Sequence, residues 1–178
     1  GIYNTIYYGV AATMIMVAVG LLVALAASRS RGPLANALDA IATMPIAIPG
    51  LVVAYAYFLT SLEFTTVLKS FYPDAALLLD PIQHPEIYLI LGYSVRKLPF
   101  VVRSIYAGLQ QIHPSMEEVA LNLGDGYPGV VRKILLPLLK NNILSGALIG
   151  FVYVTSEVSL SITLGVLKGV GQDTAMPI

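Results

Sequence analysis

Glu157, Arg96 and Arg103 are charged side chains set in otherwise apolar stretches of the chain. A charge in that setting must pair or face a cavity, because burying it alone is costly. Glu157 therefore has two readings: it pairs with an arginine such as Arg96 or Arg103 and locks helices together, or it lines a polar path through the protein. Arg96, Arg103 and Gln110 recur every seven residues, which puts them on one helical stripe. That stripe either faces protein or water, or carries its long side chains to the headgroups by snorkelling. Other chemistries find little support. The chain has no cysteine, so disulfides, thiolate metal sites and cysteine nucleophiles are excluded from these 178 residues. His84 and His113 each precede a proline, and neither has a second imidazole or carboxylate at metal-ligand spacing, so no metal site is expected. No nucleophile and base constellation supports an enzyme of the membrane interior. Gly124, Gly126 and Gly129 spell G-x-G-x-x-G, but that turn binds dinucleotides only between a buried strand and a helix, and no strand precedes it here. No phosphate-cradling G-x-x-x-x-G-K-[ST] occurs.

The elements that position these residues are set by solvent. Hydrophobic residues make up 57% of the chain and charged residues 11%, with a mean hydropathy of +0.79, against roughly 25% charged in a soluble domain. The composition is that of an integral membrane protein with no signal for nucleic acid. It begins at Gly1 and enters an apolar run at once, and is expected to be one domain, 1–178, of a longer chain. Thr5 to Ala27 is the clearest span, since about 20 apolar residues cross the hydrocarbon core. A second uncharged run lies between Asp39 and Glu63 and contains Pro45, Pro49 and Gly50. Those residues either kink a helix that lines a cavity or sit in its first turns, where proline costs little. Residues 63–86, with four acids and three prolines, read as an external loop. The third span begins at Ile87 and is the weakest, since Arg96, Lys97 and Arg103 fall inside it. The fourth runs from Asn141 to Leu167, interrupted by Glu157, and the tail after Lys168 leaves the membrane.

About four spans put Arg29, Arg31, Arg132, Lys133 and Lys140 on one side and Lys69 and Lys168 on the other. The positive-inside rule then makes the 118–137 segment cytoplasmic. Around it, in the loop 113–140, Ser115 and Glu118 stand at capping-box spacing, and a short helix is expected to Leu123. Met116, Val119, Ala120 and Leu123 share one face expected to pack on the protein, while Glu118, Leu121 and Asn122 turn toward a partner. Gly124 suits the φ > 0 position past a helix end, Pro128 the first turn of the next helix, and Pro137 is expected to break that helix.

Glu118, Ala120, Gly124, Ile134, Leu136 and Pro137 fall at the spacing of a family signature, E-A-A, three residues, G, nine residues, I-x-L-P. In this the chain resembles the permease subunits of binding-protein-dependent ABC importers, with Val119 in place of the first alanine. Asn4-Thr5, MPIAIPGLV from Met44, LPFVVRSIYAGLQQI from Leu98 and SEVSLSITLG from Ser156 extend the resemblance over most of the chain. They are most similar to the branch that carries ferric iron, with phosphonate, thiamine and polyamine permeases as near relatives. The resemblance implies an all-α, MetI-like transmembrane bundle in the cell (inner) membrane, whose 113–140 loop holds a coupling helix. That helix would dock into a groove of a separate ATP-binding cassette subunit, with Glu118 either meeting a basic group there or capping its own helix. It further implies ATP hydrolysed by the partner and no cofactor in this chain. A second permease bundle (identical, different or fused) and an extracytoplasmic substrate-binding protein complete the assembly, so no tight cargo site is expected here. Ferric iron is the first cargo reading, and a carboxylate near the path would suit a cation. An ATP-independent channel or secondary transporter using a Glu157 and Arg96 relay is the reading from another class.

Overall fold

The computed structural model describes residues 2–30, 32–80 and 84–165. Arg31, Pro81, Lys168 and the tail expected to leave the membrane lie outside the described residues. Helix α1 (Ile2–Arg29) is free of charge until its last residue, and its 28 residues give about 42 Å of helix, enough to cross a bilayer. The run from Asp39 to Glu63 is two helices rather than one kinked span. Helix α2 (Pro33–Ala47) ends before Pro49, and α3 (Gly50–Phe71) starts after it. Proline disfavours helical φ/ψ in the residue before it, and Ile48 is accordingly extended, with φ −92° and ψ 131°. Pro45 stays inside α2, near its end.

Helix α3 continues through Glu63, so the first part of the expected external loop is helical. One exposed acid does not end a helix; the next breaker is Pro73, which opens α4 (Pro73–Leu78). Among the described residues three helices are long and apolar enough to cross a membrane: Ile2–Arg29, Gly50–Phe71 and Tyr127–Thr155. The third span expected from sequence, α5 (Pro85–Gln111), matches them in length but carries Arg96, Lys97 and Arg103. It sits at the centre of the bundle, packed between α1 and α8 (Leu136–Thr155) and touching α2 and α9 (Ser159–Gly165).

Backbones approach closely at this centre because small residues line the seams, as in membrane helix packing generally. A Cβ on Gly20 or Gly150 would lie 3.1 Å from the Val101 side chain, and one on Gly146 would lie 3.0 Å from Ser104. Val101, with no exposed surface, is thus gripped by α1 and α8 at once. Met16, Leu89, Tyr93, Ile105, Leu139 and Leu160 fill the rest of the core. Apolar side chains also cover the outside, Ile6, Met14 and Leu22 of α1 among them, which suits a surface solvated by lipid.

Candidate functional sites: a polar loop and a buried ion cluster

Between α5 and α8 the chain forms a short helix, α6 (Ser115–Asn122), then a turn, then α7 (Tyr127–Val130). The end of α6 is a Schellman motif. Asp125 N–H donates to Ala120 O at 3.1 Å and Gly124 N–H to Leu121 O at 3.1 Å, the pair of bonds that satisfies the last carbonyls of a helix. The motif needs a left-handed residue, and Gly124 has φ +92°. Pro128 stands in the first turn of α7, and Lys133 Nζ reaches Asp125 Oδ1 at 2.6 Å, tying the turn to the following helix.

Pro137 does not break that helix. Val131–Leu135 forms a π turn in which Leu136 N–H bonds to Val131 O, and the helix runs on from Tyr127 to Thr155. The wider π turn absorbs the missing proline N–H inside a continuous helix. Ile134 and Leu136 are half-buried on it and Pro137 is exposed.

The face of α6 that packs differs from the one its apolar pattern indicated. Glu117 and Ala120 are buried, whereas Met116, Val119, Leu121 and Leu123 are 46%, 57%, 45% and 83% exposed. The reason is electrostatic: Glu117 forms an ion pair with Arg29 at the end of α1, and this contact rather than the apolar stripe turns α6. Glu118, beside it, is exposed and has no side-chain partner among the described residues. The capping box is absent, since Ser115 Oγ instead meets His113 Nδ1 at 2.8 Å. Arg29 enters the sequence reading only as one of the charges on the loop side, and no signal in a spacing of 88 residues joins it to Glu117.

Glu157 lies in a break. The fourth span stops at Thr155, and the chain turns through Glu157 before α9. Its carboxylate is shared by two cations of α5, with Arg96 Nη1 to Oε1 at 3.0 Å and Lys97 Nζ to Oε2 at 2.6 Å. The side chains of Glu157, Arg96 and Lys97 are only 6%, 18% and 12% exposed, so the Arg96 guanidinium is turned into the protein toward Glu157 rather than extended outward. The Arg96 guanidinium also covers the backbone of Gly50, where a Cβ would overlap it. One cluster therefore pins the break before α3 and the break before α9 to the same turn of α5. Ser161 donates to the Glu157 carbonyl and meets the Tyr93 hydroxyl at 2.6 Å, securing the start of α9. Lys97 was missed at the sequence level; its Nζ also lies 5.7 Å from the Tyr153 ring centre, and Tyr153 stacks on Phe100.

Arg103 is not part of this cluster. It is exposed and lines a cavity of about 260 Å³ between α1, α2 and α5, opposite Asp39 and Asn36. Among the described residues no three His, Asp or Glu side chains are placed to hold a metal ion.

Set beside known proteins, residues 16–178 match the family described as the binding-protein-dependent transport system inner membrane component. The chain belongs to this family. Its MetI-like helical bundle and multi-pass membrane character accord with what the fold shows. The chain is 29% identical over 133 residues to the sulfate transport system permease protein CysT of Salmonella typhimurium, covering 74% of this chain and 46% of that protein. It is 28% identical over 161 residues to the ferric transport system permease protein FbpB of Actinobacillus pleuropneumoniae, covering 90% of this chain and 21% of that protein. To the molybdenum transport system permease protein ModB of Mycobacterium tuberculosis it is 28% identical over 172 residues, 94% of this chain and 62% of that protein. This family member thus spans about half of CysT and about a fifth of FbpB.

Proposed function

We propose that this chain is a transmembrane permease domain of an ATP-binding cassette importer, coupled through α6 to a separate ATPase subunit. The exposed face of α6 carries the reading. Met116, Val119 and Leu123 form an apolar surface, and Glu118, with no partner among the described residues, stands on the neighbouring side of the helix. An amphipathic helix of that kind suits a hydrophobic groove with a basic group at its edge. On this reading Glu118, Ala120 and Gly124 shape the docking helix, while Ile134, Leu136 and Pro137 seat the helix that follows it. The loop is cytoplasmic, by the positive-inside distribution of Arg29, Arg132, Lys133 and Lys140. ATP is hydrolysed by the partner, a second bundle completes the path, and an extracytoplasmic binding protein delivers cargo.

The cargo on this proposal is an inorganic ion. Ferric iron remains the first to test, since an FbpB relative aligns with 90% of the chain. An oxyanion is the second, because CysT and ModB are named for sulfate and molybdenum. The charge balance bears on this choice. Two cations already neutralise Glu157 and leave the cluster with one net positive charge, which removes the electrostatic reason for preferring a cation. We assign Glu157 and Arg96 to helix pairing rather than to the path, and Arg103 to the wall of the cavity between α1, α2 and α5.

The test is to purify the tagged full-length protein gently from native membranes and identify what accompanies it. A co-purifying chain with a phosphate-binding loop supports the proposal, and its cognate binding protein is then screened against ferric iron, sulfate and molybdate. Isolation alone, with transport that needs no ATP, overturns it in favour of a channel or secondary transporter.

A further inference from the structure

We infer that the Arg29 and Glu117 ion pair is a strut that transmits movement of α6 to α1. The inference rests on the proposal that α6 docks an ATPase, and adds a positioning pair distinct from the docking face.

Helix α6 is joined to its neighbours in sequence by non-helical links at both ends, residues 112–114 before it and 123–126 after it. The second link is braced by its Schellman bonds and by Lys133 to Asp125, which tie α6 to α7, but neither link reaches α1. Among the described residues no ion pair other than Glu117 to Arg29 reaches α6. Glu117 is 7% exposed, on the side of α6 away from Met116, Val119 and Leu123. Arg29 is the last residue of α1, so a push on α6 acts on the end of a rigid rod of 28 residues. That rod packs along both α5 and α8, with Gly20 and Met16 meeting Val101 and Gly150. Tyr127, at the start of α7, also faces the Arg29 guanidinium, so the stretch leading into α8 meets the same point. An arginine suits this task because its guanidinium has several N–H donors, so it can hold the Glu117 carboxylate through Nη2 and still face Tyr127, as a point charge does less well.

The experiment uses the full-length transporter reconstituted with its ATPase and binding protein. Glu117→Gln and Arg29→Gln are each compared with wild type for ATPase co-purification and for ATP hydrolysis with and without binding protein. The expected result is normal co-purification with stimulation by the binding protein reduced about fivefold or more, the lower end of usual coupling between sites. The charge swap Arg29→Glu with Glu117→Arg is expected to recover most of that stimulation, which ties the loss to the pair, while retained co-purification separates it from a general loss of structure. Should a neutral variant not accumulate, Arg29→Lys carries the test: it keeps the charge without the guanidinium, and stimulation between wild type and the neutral variant of the partner is expected. Unchanged stimulation in every single variant overturns the strut, as does a swap no better than its singles. Loss of the ATPase from a single variant also overturns it, by making Glu117 part of the docking surface. Failure of the wild-type protein to retain an ATPase removes the underlying proposal and the strut with it, and the wild-type control alone identifies that case.

Discussion

A single glycine and a single carboxylate show how unequal individual residues are in this chain. Gly124 has φ +92°, where a side chain with a Cβ costs about 1–2 kcal/mol and a β-branched one more. Nothing lies within 4 Å of a Cβ built there, so the constraint is the backbone alone. Gly124→Val is expected to insert normally yet lose transport, read by membrane abundance against uptake; normal uptake would show that transport does not need the left-handed turn at Gly124. Glu157 is constrained in the opposite way, by its contacts. Removing its charge leaves Arg96 and Lys97 unpaired where each is less than one fifth exposed, and breaking a buried pair costs about 3–5 kcal/mol. Glu157→Gln should lower the unfolding temperature of the purified protein by several degrees while ATPase co-purification survives in intact preparations. An unchanged melting curve would free Glu157 for a role in the path. Both residues stood out in the sequence, one by its place after a helix and one as an acid in an apolar run. Lys97 did not, because a lysine next to an arginine reads as one basic patch until a carboxylate is seen to take one of its oxygens to each.

Helices behave here according to what breaks them. The α2 to α3 break follows from Pro49 acting on Ile48, and it was legible as a proline effect though not as a division into two helices. The π turn at Val131–Leu135 was not legible, because Pro137 alone predicts a break and only the continuing partner contacts of α8 keep the helix whole. The seam between α8, α1 and α5 is tight at Gly150, where a Cβ would already stand 3.1 Å from both Met16 and Val101. Gly150→Ile is expected to destabilise the bundle by about 1–3 kcal/mol or more through overpacking, read as loss of monodisperse protein on size-exclusion chromatography. On α6 the docking face can be tested without touching the core. Leu123 is 83% exposed, so Leu123→Glu should alter the chain's own stability by no more than about 0.5 kcal/mol. If Leu123 anchors the interface it should weaken ATPase association about tenfold, which is 1.4 kcal/mol. Association at wild-type strength would move the docking surface elsewhere.

For the molecule as a whole, the arrangement predicts a topology. Single cysteines are clean probes because these 178 residues contain none. Ser115→Cys, on the loop side, should react with an impermeant maleimide only in inside-out vesicles or opened cells, and Asp74→Cys, exposed on α4, only from the outside. Labelling with the sides reversed would invert the orientation and place α6 beyond reach of a cytoplasmic ATPase.

The sequence by itself determined the solvent, the helical class, the position of the polar loop with its Gly124 turn, and the presence of an acid needing a partner. Each of these depends on composition or on spacings within a few turns of helix, where 3.6-residue geometry and φ preferences act directly. Only the tertiary structure decided that α5, the most charged span, is central, that Glu157 is shared between Arg96 and Lys97, and that Glu117 rather than an apolar stripe orients α6. These are meetings across 61, 60 and 88 residues of chain. They depend on which helix faces pack together, and one long cation can reach several acids until packing selects one.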